Sequence, residues 1–278
     1  CLGLLVVPSL FAVAQDNSGY KGGSGANLYQ ERTNEERKAI PYAPLRQADV
    51  MYARRIHQKL DMREKQNLAM QWPKNPFNEL VYKAVMKGID GKQLTPYQSD
   101  SLKNPYTREK VIDRISTEET VEKRPYPIER PNYTVDTTIR NTLAPSEIKK
   151  FRIMEEWIFD KETSQYTPRI IAVAPLFKPK RGGAELEEQT IFWVEWNELR
   201  KILVNETMFN RKNDAARLTY YDFFEQRLYS SYIVKYPTEF DQDITDMPKY
   251  EDSKFAALIK AQKIEQKLLE FEHDLWQW

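Results

Sequence analysis

Acidic side chains are the strongest acid–base candidates in this sequence. Glu155 and Glu156 are adjacent in a segment rich in large apolar residues, and Glu195 lies in a later one. Two carboxylates in one cleft can act as general acid and general base when their surroundings separate their pKa values. Neighbours on a strand point to opposite faces, so Glu155 and Glu156 cannot converge, whereas Glu195 could share a face with Glu155. The hypothesis is a glycan- or peptidoglycan-acting enzyme; the alternative is a salt bridge or a charged sheet edge.

Other catalytic and metal-binding patterns have little support. Cys1 is the only cysteine, and His57 and His273 are the only histidines, both interpreted as partly exposed residues on charged helices. The sequence has no G-x-S-x-G, H-E-x-x-H, C-x-x-C or Gly-rich phosphate loop. The aspartates in 241–246 suggest a calcium loop but lack its central glycine and final glutamate, which favours a solvated loop. We therefore predict no catalytic, cofactor-binding or metal-binding residues.

Two other clusters have a structural and a functional interpretation. Trp157 and Trp193 fall on neighbouring predicted strands, where core packing is the simplest role. They could instead form a protein-contact hot spot or the aromatic pocket of a soluble carrier. Lys180 and Arg181 lie in a predicted hairpin tip, which is either solvated or docks on an acidic patch of a partner.

The N-terminal residues have the features of a secretory signal peptide. Residues 1–14 are almost entirely apolar and end in Ala12-Val13-Ala14, which has the small-x-small form of a cleavage site. The charged n-region is missing, so we interpret the segment as clipped. A lipoprotein with an acylated Cys1 is the alternative, but Leu2–Val7 lacks the expected polar tether. Export to the periplasm is the prediction, with no later transmembrane segment.

The composition argues against several classes of partner. Lys and Arg number 42 and Asp and Glu 41, so no basic excess drives nucleic-acid or anionic-membrane binding. Gly is scarce at 9 and Pro common at 16, which suits long extended loops and argues against a nucleotide-binding fold. We therefore expect no nucleic acid and no membrane span.

The N-terminal half is predicted to contain an arm, a helical unit and a connector. Residues 15–47 are Gly/Ser-rich and then Pro-containing, which indicates a flexible arm that could order on a neighbouring subunit. A small helical unit covers 48–115, with helices at 49–70 and 77–89. Residues 116–145 form a Pro-rich extended connector.

The C-terminal half is predicted to hold the sheet. Residues 146–248 form a sheet-containing core whose first strand places Phe151, Ile153 and Trp157 on one face, followed by a polar hairpin at 160–165. Thr219 caps a later helix, and 249–278 form a long amphipathic helix. The fold class is α+β: a small N-terminal helical unit, a central mostly antiparallel sheet flanked by helices, and a long C-terminal helix.

Protein contacts are the expected use of the apolar surface. The candidate interface combines the C-terminal helix, the tryptophans and the basic loop. Its residues are Leu258, Ile259, Leu268, Trp276, Trp157, Trp193, Lys180 and Arg181.

Several motifs, in order along the chain, resemble one known family. ADVMYARRIHQKLDMREKQN, NPFNELVYKAV and GKQLTPY are followed by IMEEWIFDKETSQYTPRIIAVAPLF, FWVEWNELRKIL and TYYDFFEQRLYSSYIVK. Together they resemble the gliding-motility protein GldN, or PorN, of the type IX secretion system of Bacteroidetes.

The resemblance implies a periplasmic, non-enzymatic subunit. Family members assemble into a large ring with the outer-membrane lipoprotein GldK/PorK and contact the inner-membrane protein GldM/PorM. It transfers no catalytic residues, and no residue spacing by itself indicates a ring.

Overall fold

The structure is a computed structural model that describes residues 37–125, 134–181, 184–185, 187–213, 216–250 and 253–275. The predicted signal peptide, residues 15–36 of the predicted arm, and Trp276 lie outside the described residues. Residues 37–278 form one unit by their contacts.

The strands of the central sheet come from distant parts of the described chain, and eight strands follow one another between the second and third helices. The strands are β1 (Val50–Asp61), β2 (Pro96–Tyr97), β3 (Ser116–Pro125), β4 (Thr134–Thr142), β5 (Lys150–Asp160), β6 (Gln165–Phe177), β7 (Lys180–Arg181), β8 (Ala184–Glu185), β9 (Gln189–Thr190), β10 (Trp193–Glu195), β11 (Thr207–Met208), β12 (Leu218–Thr219) and β13 (Tyr232–Lys235). The helices are α1 (Phe77–Met86), α2 (Arg108–Ile115), α3 (Trp196–Leu203), α4 (Tyr220–Glu225) and α5 (Lys254–Leu275), with 3-10 turns at Asn67–Gln71, Pro145–Glu147 and Ile244–Asp246.

A central antiparallel sheet carries the other elements. Its strand order is β13-β1-β5-β6-β10-β2, and β9 also pairs with β6. The long β1, β5 and β6 form its middle, because β5 and β6 are joined by the predicted polar hairpin and β1 pairs along the full length of β5. The predicted α+β class, with its central antiparallel sheet and long C-terminal helix, is confirmed.

The prediction of a helix over residues 49–70 is wrong. This segment is strand β1 followed by a 3-10 turn at Asn67–Gln71. Tyr52, Ile56 and Leu60 recur every four residues, which is compatible with one face of a helix, but the same even spacing also places all three on one face of a strand. Pairing with β5 along one edge and β13 along the other decides between the two patterns.

The predicted connector contains regular structure. Within 116–145, β3 and β4 pair as a separate two-stranded antiparallel sheet. The extended backbone of β3 and β4 agrees with the prediction, but their pairing was not predicted. Helices α1 and α2 lie in the predicted helical unit, and Thr219 caps α4 by accepting from the Asp222 backbone N–H at 3.2 Å.

Both faces of the central sheet are covered by apolar side chains. The largest apolar cluster packs α1, α3 and α4 against one face around Phe77, Phe151 and Phe224. A second cluster places Ala261 and Ile264 of α5 against Ile56 and Ile233 on the same face. A third fills the opposite face, with Met154, Ala172, Ala174 and Trp193.

The end of the predicted arm is ordered on its own chain. Arg37 forms a bidentate ion pair with Asp222 of α4, at 2.5 and 2.7 Å. The Tyr42 hydroxyl donates a hydrogen bond to Glu225 at 2.6 Å. The Arg200 guanidinium carbon lies over the Tyr42 ring, 4.1 Å from its centroid. Burial and the Glu225 hydrogen bond raise the pKa of Tyr42 to about 12. Residues 37–42 thus form a strap that holds the chain against α3 and α4.

Candidate docking surfaces

Helix α5 has two uncharged strips. The inner strip packs on the sheet through Ala257, Ala261, Ile264 and Leu268, spaced at 4, 3 and 4 residues, and is buried. At about 100° per residue, a second strip runs along the outer side of the helix. It contains Phe255, Leu258, Ile259, Gln262, Gln266 and Leu269, and it has no charged residue.

The outer strip of α5 is open to solvent. Phe255 is 73% exposed and Leu269 is 55% exposed, with Leu258 and Ile259 exposed between them. Such apolar side chains, grouped on one side of a helix, are typical of surfaces that bind another protein. The helix is fixed at its end by Phe271, whose ring lies 4.6 Å from Tyr52 and 5.7 Å from Tyr166.

The predicted interface residues fall into three environments. Leu258 and Ile259 are exposed on the outer strip of α5, whereas Leu268 and Trp193 are buried. Trp157 is half-buried beside the Tyr166 ring, at 5.4 Å. Lys180 and Arg181 lie on β7, and Trp276 is outside the described residues. Of these residues, Leu258 and Ile259 have side chains that a partner could contact directly, whereas Trp193 is packed in the third apolar cluster.

Glu155 and Glu195 lie on opposite faces of the sheet, contrary to the shared face considered for a catalytic pair. Paired residues of antiparallel strands project to the same face. Glu195 pairs with Ala172, and Ala172 pairs with Met154. Since Met154 precedes Glu155 on β5, their side chains point in opposite directions. The sheet separates the two carboxylates.

Glu155 is instead part of a buried polar cluster. Its side chain is fully buried and forms an ion pair with Arg227. It also accepts a hydrogen bond from Tyr229 at 2.7 Å and one from Gln58 at 3.2 Å. Arg227 lies over Trp157 at 5.6 Å, and burial raises the pKa of Tyr229 well above its usual value. The carboxylate is occupied by partners from this chain, which gives it a structural role.

His57 is a buried strand residue, not the partly exposed helix residue predicted. It projects from β1 against Trp193, with ring centroids 5.7 Å apart, and Arg152 donates to its Nδ1 at 3.1 Å. Burial first, and then the charges of Arg152 and Lys235, lower the pKa of His57 to about 3. The Asp100 Oδ2 atom lies 3.8 Å from Nε2 of His57. Because Asp100 is half exposed, its charge does not offset the lowering of the His57 pKa.

This pKa predicts a loss of stability in mild acid. The unfolded chain takes up a proton near pH 6.5 and the folded chain only near pH 3, so stability is lost as pH falls from 6.5 towards 3. Between pH 7 and pH 5, the free energy of unfolding of the His57→Gln variant should fall by about 1–2 kcal/mol less than that of the wild type. Urea unfolding at both pH values measures this; equal losses in the two proteins would contradict it.

The acidic loop near β13 forms ion pairs. The Asp243 carboxylate accepts two hydrogen bonds from the Arg152 guanidinium, at 2.5 and 2.9 Å. The Asp241 carboxylate lies 2.9 Å from Nζ of Lys235. Within the described residues, no group of three His, Cys, Asp or Glu side chains could hold a metal ion. Among the described helices, none is both long and apolar enough to cross a membrane.

A cavity of about 300 Å³ opens at one end of the sheet. Arg63, Lys149, Lys150 and Lys178 line it together with Glu188, which accepts from Lys59 at 2.8 Å and from Lys150 at 2.5 Å. Neither Trp157 nor Trp193 lines this cavity. This cavity is therefore not the aromatic pocket that the soluble-carrier hypothesis requires.

These features define an α+β protein whose buried carboxylate is structural and whose exposed helix surface is suited to protein contact. The model of the family "Gliding motility associated protein GldN" matches residues 45–277, which is nearly the whole chain. The chain therefore belongs to the GldN family. No curated protein matched it.

Proposed function

We propose that the chain is a periplasmic structural subunit of the type IX protein secretion and gliding machinery. In this proposal it forms a ring complex with an outer-membrane lipoprotein of the GldK/PorK type and contacts an inner-membrane protein of the GldM/PorM type. The family match over residues 45–277 is the observation that carries the proposal.

The outer strip of α5 supports a role in assembly. Phe255, Leu258, Ile259 and Leu269 expose apolar surface although four other positions of the same helix are well buried. Burying one such side chain at an interface stabilises the complex by about 1.5–3 kcal/mol. A partner that covers the strip would gain several contacts without displacing α5 from the sheet.

The position of Glu155 supports a structural role over the glycan-acting alternative. A general acid or base must reach its substrate within hydrogen-bond distance. Glu155 is fully buried and bound by Arg227 and Tyr229, and Glu195 lies on the other face of the sheet. No carboxylate pair is assembled from these two residues.

Co-purification with the lipoprotein tests the proposed function. We expect the mature chain, expressed with the GldK/PorK-type lipoprotein, to elute with it as an assembly of many copies, measured by mass photometry. Deletion of the lipoprotein gene should release the chain from the outer-membrane fraction. A chain that fractionates identically with and without that gene would contradict the proposal.

A further inference from the structure

The cavity at one end of the sheet combines excess positive charge with an apolar wall. Its lining has four cationic side chains and two carboxylates, which leaves an excess of two positive charges. The carboxylates are Glu147 and Glu188, and the apolar wall is formed by Leu143, Leu176 and Phe177. Concave sites with an apolar wall and a few charged groups are typical of ligand pockets. At about 300 Å³, this cavity has the size of the smaller pockets of that kind.

Glu188 shows how this end of the sheet holds a carboxylate. It accepts hydrogen bonds from Nζ of Lys59 at 2.8 Å and from Nζ of Lys150 at 2.5 Å. Burial alone would raise the pKa of Glu188, but these two hydrogen bonds outweigh burial and lower that pKa. The carboxylate therefore stays ionised between two lysines, and one positive charge of the trio is not balanced within it.

Two further lysines can reach a ligand in this cavity. Lys149 is half-buried and Lys178 is exposed, and both line the cavity. Arg63, by contrast, is engaged by Asp61 through two hydrogen bonds at 2.7 and 3.0 Å. The lining carboxylate of Glu147 is exposed, so water weakens its repulsion of an incoming anion. The cavity therefore attracts a second carboxylate beside the one that it already holds.

We propose that this cavity binds an acidic segment of a partner protein in which a carboxylate lies beside an apolar side chain. The carboxylate meets Lys149 and Lys178, and the apolar side chain covers Leu176 and Phe177. A phosphate ion would match the charge but leave the apolar wall in contact with water, so the wall favours a peptide.

The site is preformed by the middle of the sheet. Leu176 and Phe177 end β6, and Lys149 directly precedes β5, so these residues stand on two strands that pair along their length. A rigid site needs little ordering when its ligand binds, which favours affinity. The proposal does not rest on the proposed function, because no residue that lines the cavity belongs to the outer strip of α5.

Binding of synthetic peptides to the purified mature chain tests this site. The probe is a short fluorescein-labelled peptide of alternating glutamate and leucine, and fluorescence anisotropy measures its binding. We expect saturable binding that weakens about tenfold or more when every glutamate is replaced by glutamine, because the charge attraction is lost. Replacing every leucine by serine should also weaken binding about tenfold or more, because the apolar wall is then left uncovered.

Charge variants assign the binding to the cavity. K149E/K178E should weaken binding of the glutamate–leucine peptide about tenfold or more, and K149Q/K178Q should weaken it by a smaller factor. K263E/K267E is the matched control, since it reverses two exposed lysines of α5 that do not line the cavity, and it should bind within about twofold of the wild type. Circular dichroism checks that each variant is folded, and the glutamine pair decides the question if the reversed pair does not fold.

Each contrary result overturns a stated part of the proposal. A wild type that binds the glutamine or serine peptide as tightly as the original peptide has no site for a carboxylate beside an apolar group. Folded K149E/K178E or K149Q/K178Q that binds like the wild type places the binding elsewhere. Inorganic phosphate at about tenfold excess over the peptide should not displace it, and full displacement would show a simple anion site.

The cavity proposal and the proposed function can fail separately. If the peptide does not bind while the chain still co-purifies with the lipoprotein, the cavity proposal is overturned and the proposed function stands. If the peptide binds as expected and lipoprotein capture is absent, the cavity proposal stands and the proposed function is overturned.

Discussion

Replacing Arg227 by Met is expected to lower the free energy of unfolding by about 3–5 kcal/mol. Glu155 is fully buried, and Arg227 is its cationic partner. Met fills a similar volume but leaves the carboxylate with only Tyr229 and Gln58 as donors. An unpaired buried charge is among the most destabilising changes that a single substitution can make. Urea unfolding at pH 7 measures the loss.

The double variant Glu155→Gln/Arg227→Met is the control for this prediction. It removes both charges, so its loss should be smaller than that of Arg227→Met alone. Residue 227 has φ 53°, a left-handed conformation that is equally strained for Arg and Met, so backbone strain cancels in the comparison. A loss below about 1 kcal/mol in Arg227→Met would show that the ion pair is not structural.

Local patterns predicted the elements whose contacts are close in sequence. The hairpin between β5 and β6, the Thr219 cap of α4 and the helical conformation of α5 all depend on residues a few positions apart, although the buried strip of α5 is formed largely by Ala257, Ala261 and Ile264. The strand β1 could not be decided in this way. Its residues fit both a helix and a strand, and its partners β5 and β13 lie about 100 and 175 residues later in the chain.

The buried cluster around Glu155 depends on strand register, which no local pattern gives. Gln58, Arg227 and Tyr229 lie 97, 72 and 74 residues from Glu155, and nothing in their neighbourhoods indicates a shared site. The register shift between Met154 and Glu155 also changes which residues of β6 face them. The pairing of Glu195 with Ala172 becomes evident only from the folded sheet.

The strap formed by residues 37–42 was hidden from the sequence for the same reason. Arg37 and Tyr42 lie in a segment whose glycine- and proline-containing surroundings predict flexibility. Their partners Asp222 and Glu225 are more than 180 residues away on α4. Long-range ion pairs therefore order the end of a segment that has no regular structure of its own.

Replacing Leu258 by Asp is expected to weaken capture of the lipoprotein at least tenfold, roughly 1.4 kcal/mol or more, while leaving the fold intact. Leu258 is 41% exposed on the outer strip of α5, so a carboxylate there reaches water in the free chain. At an interface, the same carboxylate would be desolvated without a partner. Biolayer interferometry against the purified lipoprotein measures binding, and the unfolding free energy should change by less than about 1 kcal/mol.

Two variants on the same helix are matched controls for this prediction. Lys267→Asp also adds an acidic residue but lies about 180° around the helix from Leu258, so binding should stay within about twofold. Leu268→Asp places the charge in the buried inner strip, so it should destabilise the seating of α5 on the sheet as well as binding. If Leu258→Asp binds like Lys267→Asp, the outer strip is not the docking surface. If it unfolds like Leu268→Asp, residue 258 contributes to the core.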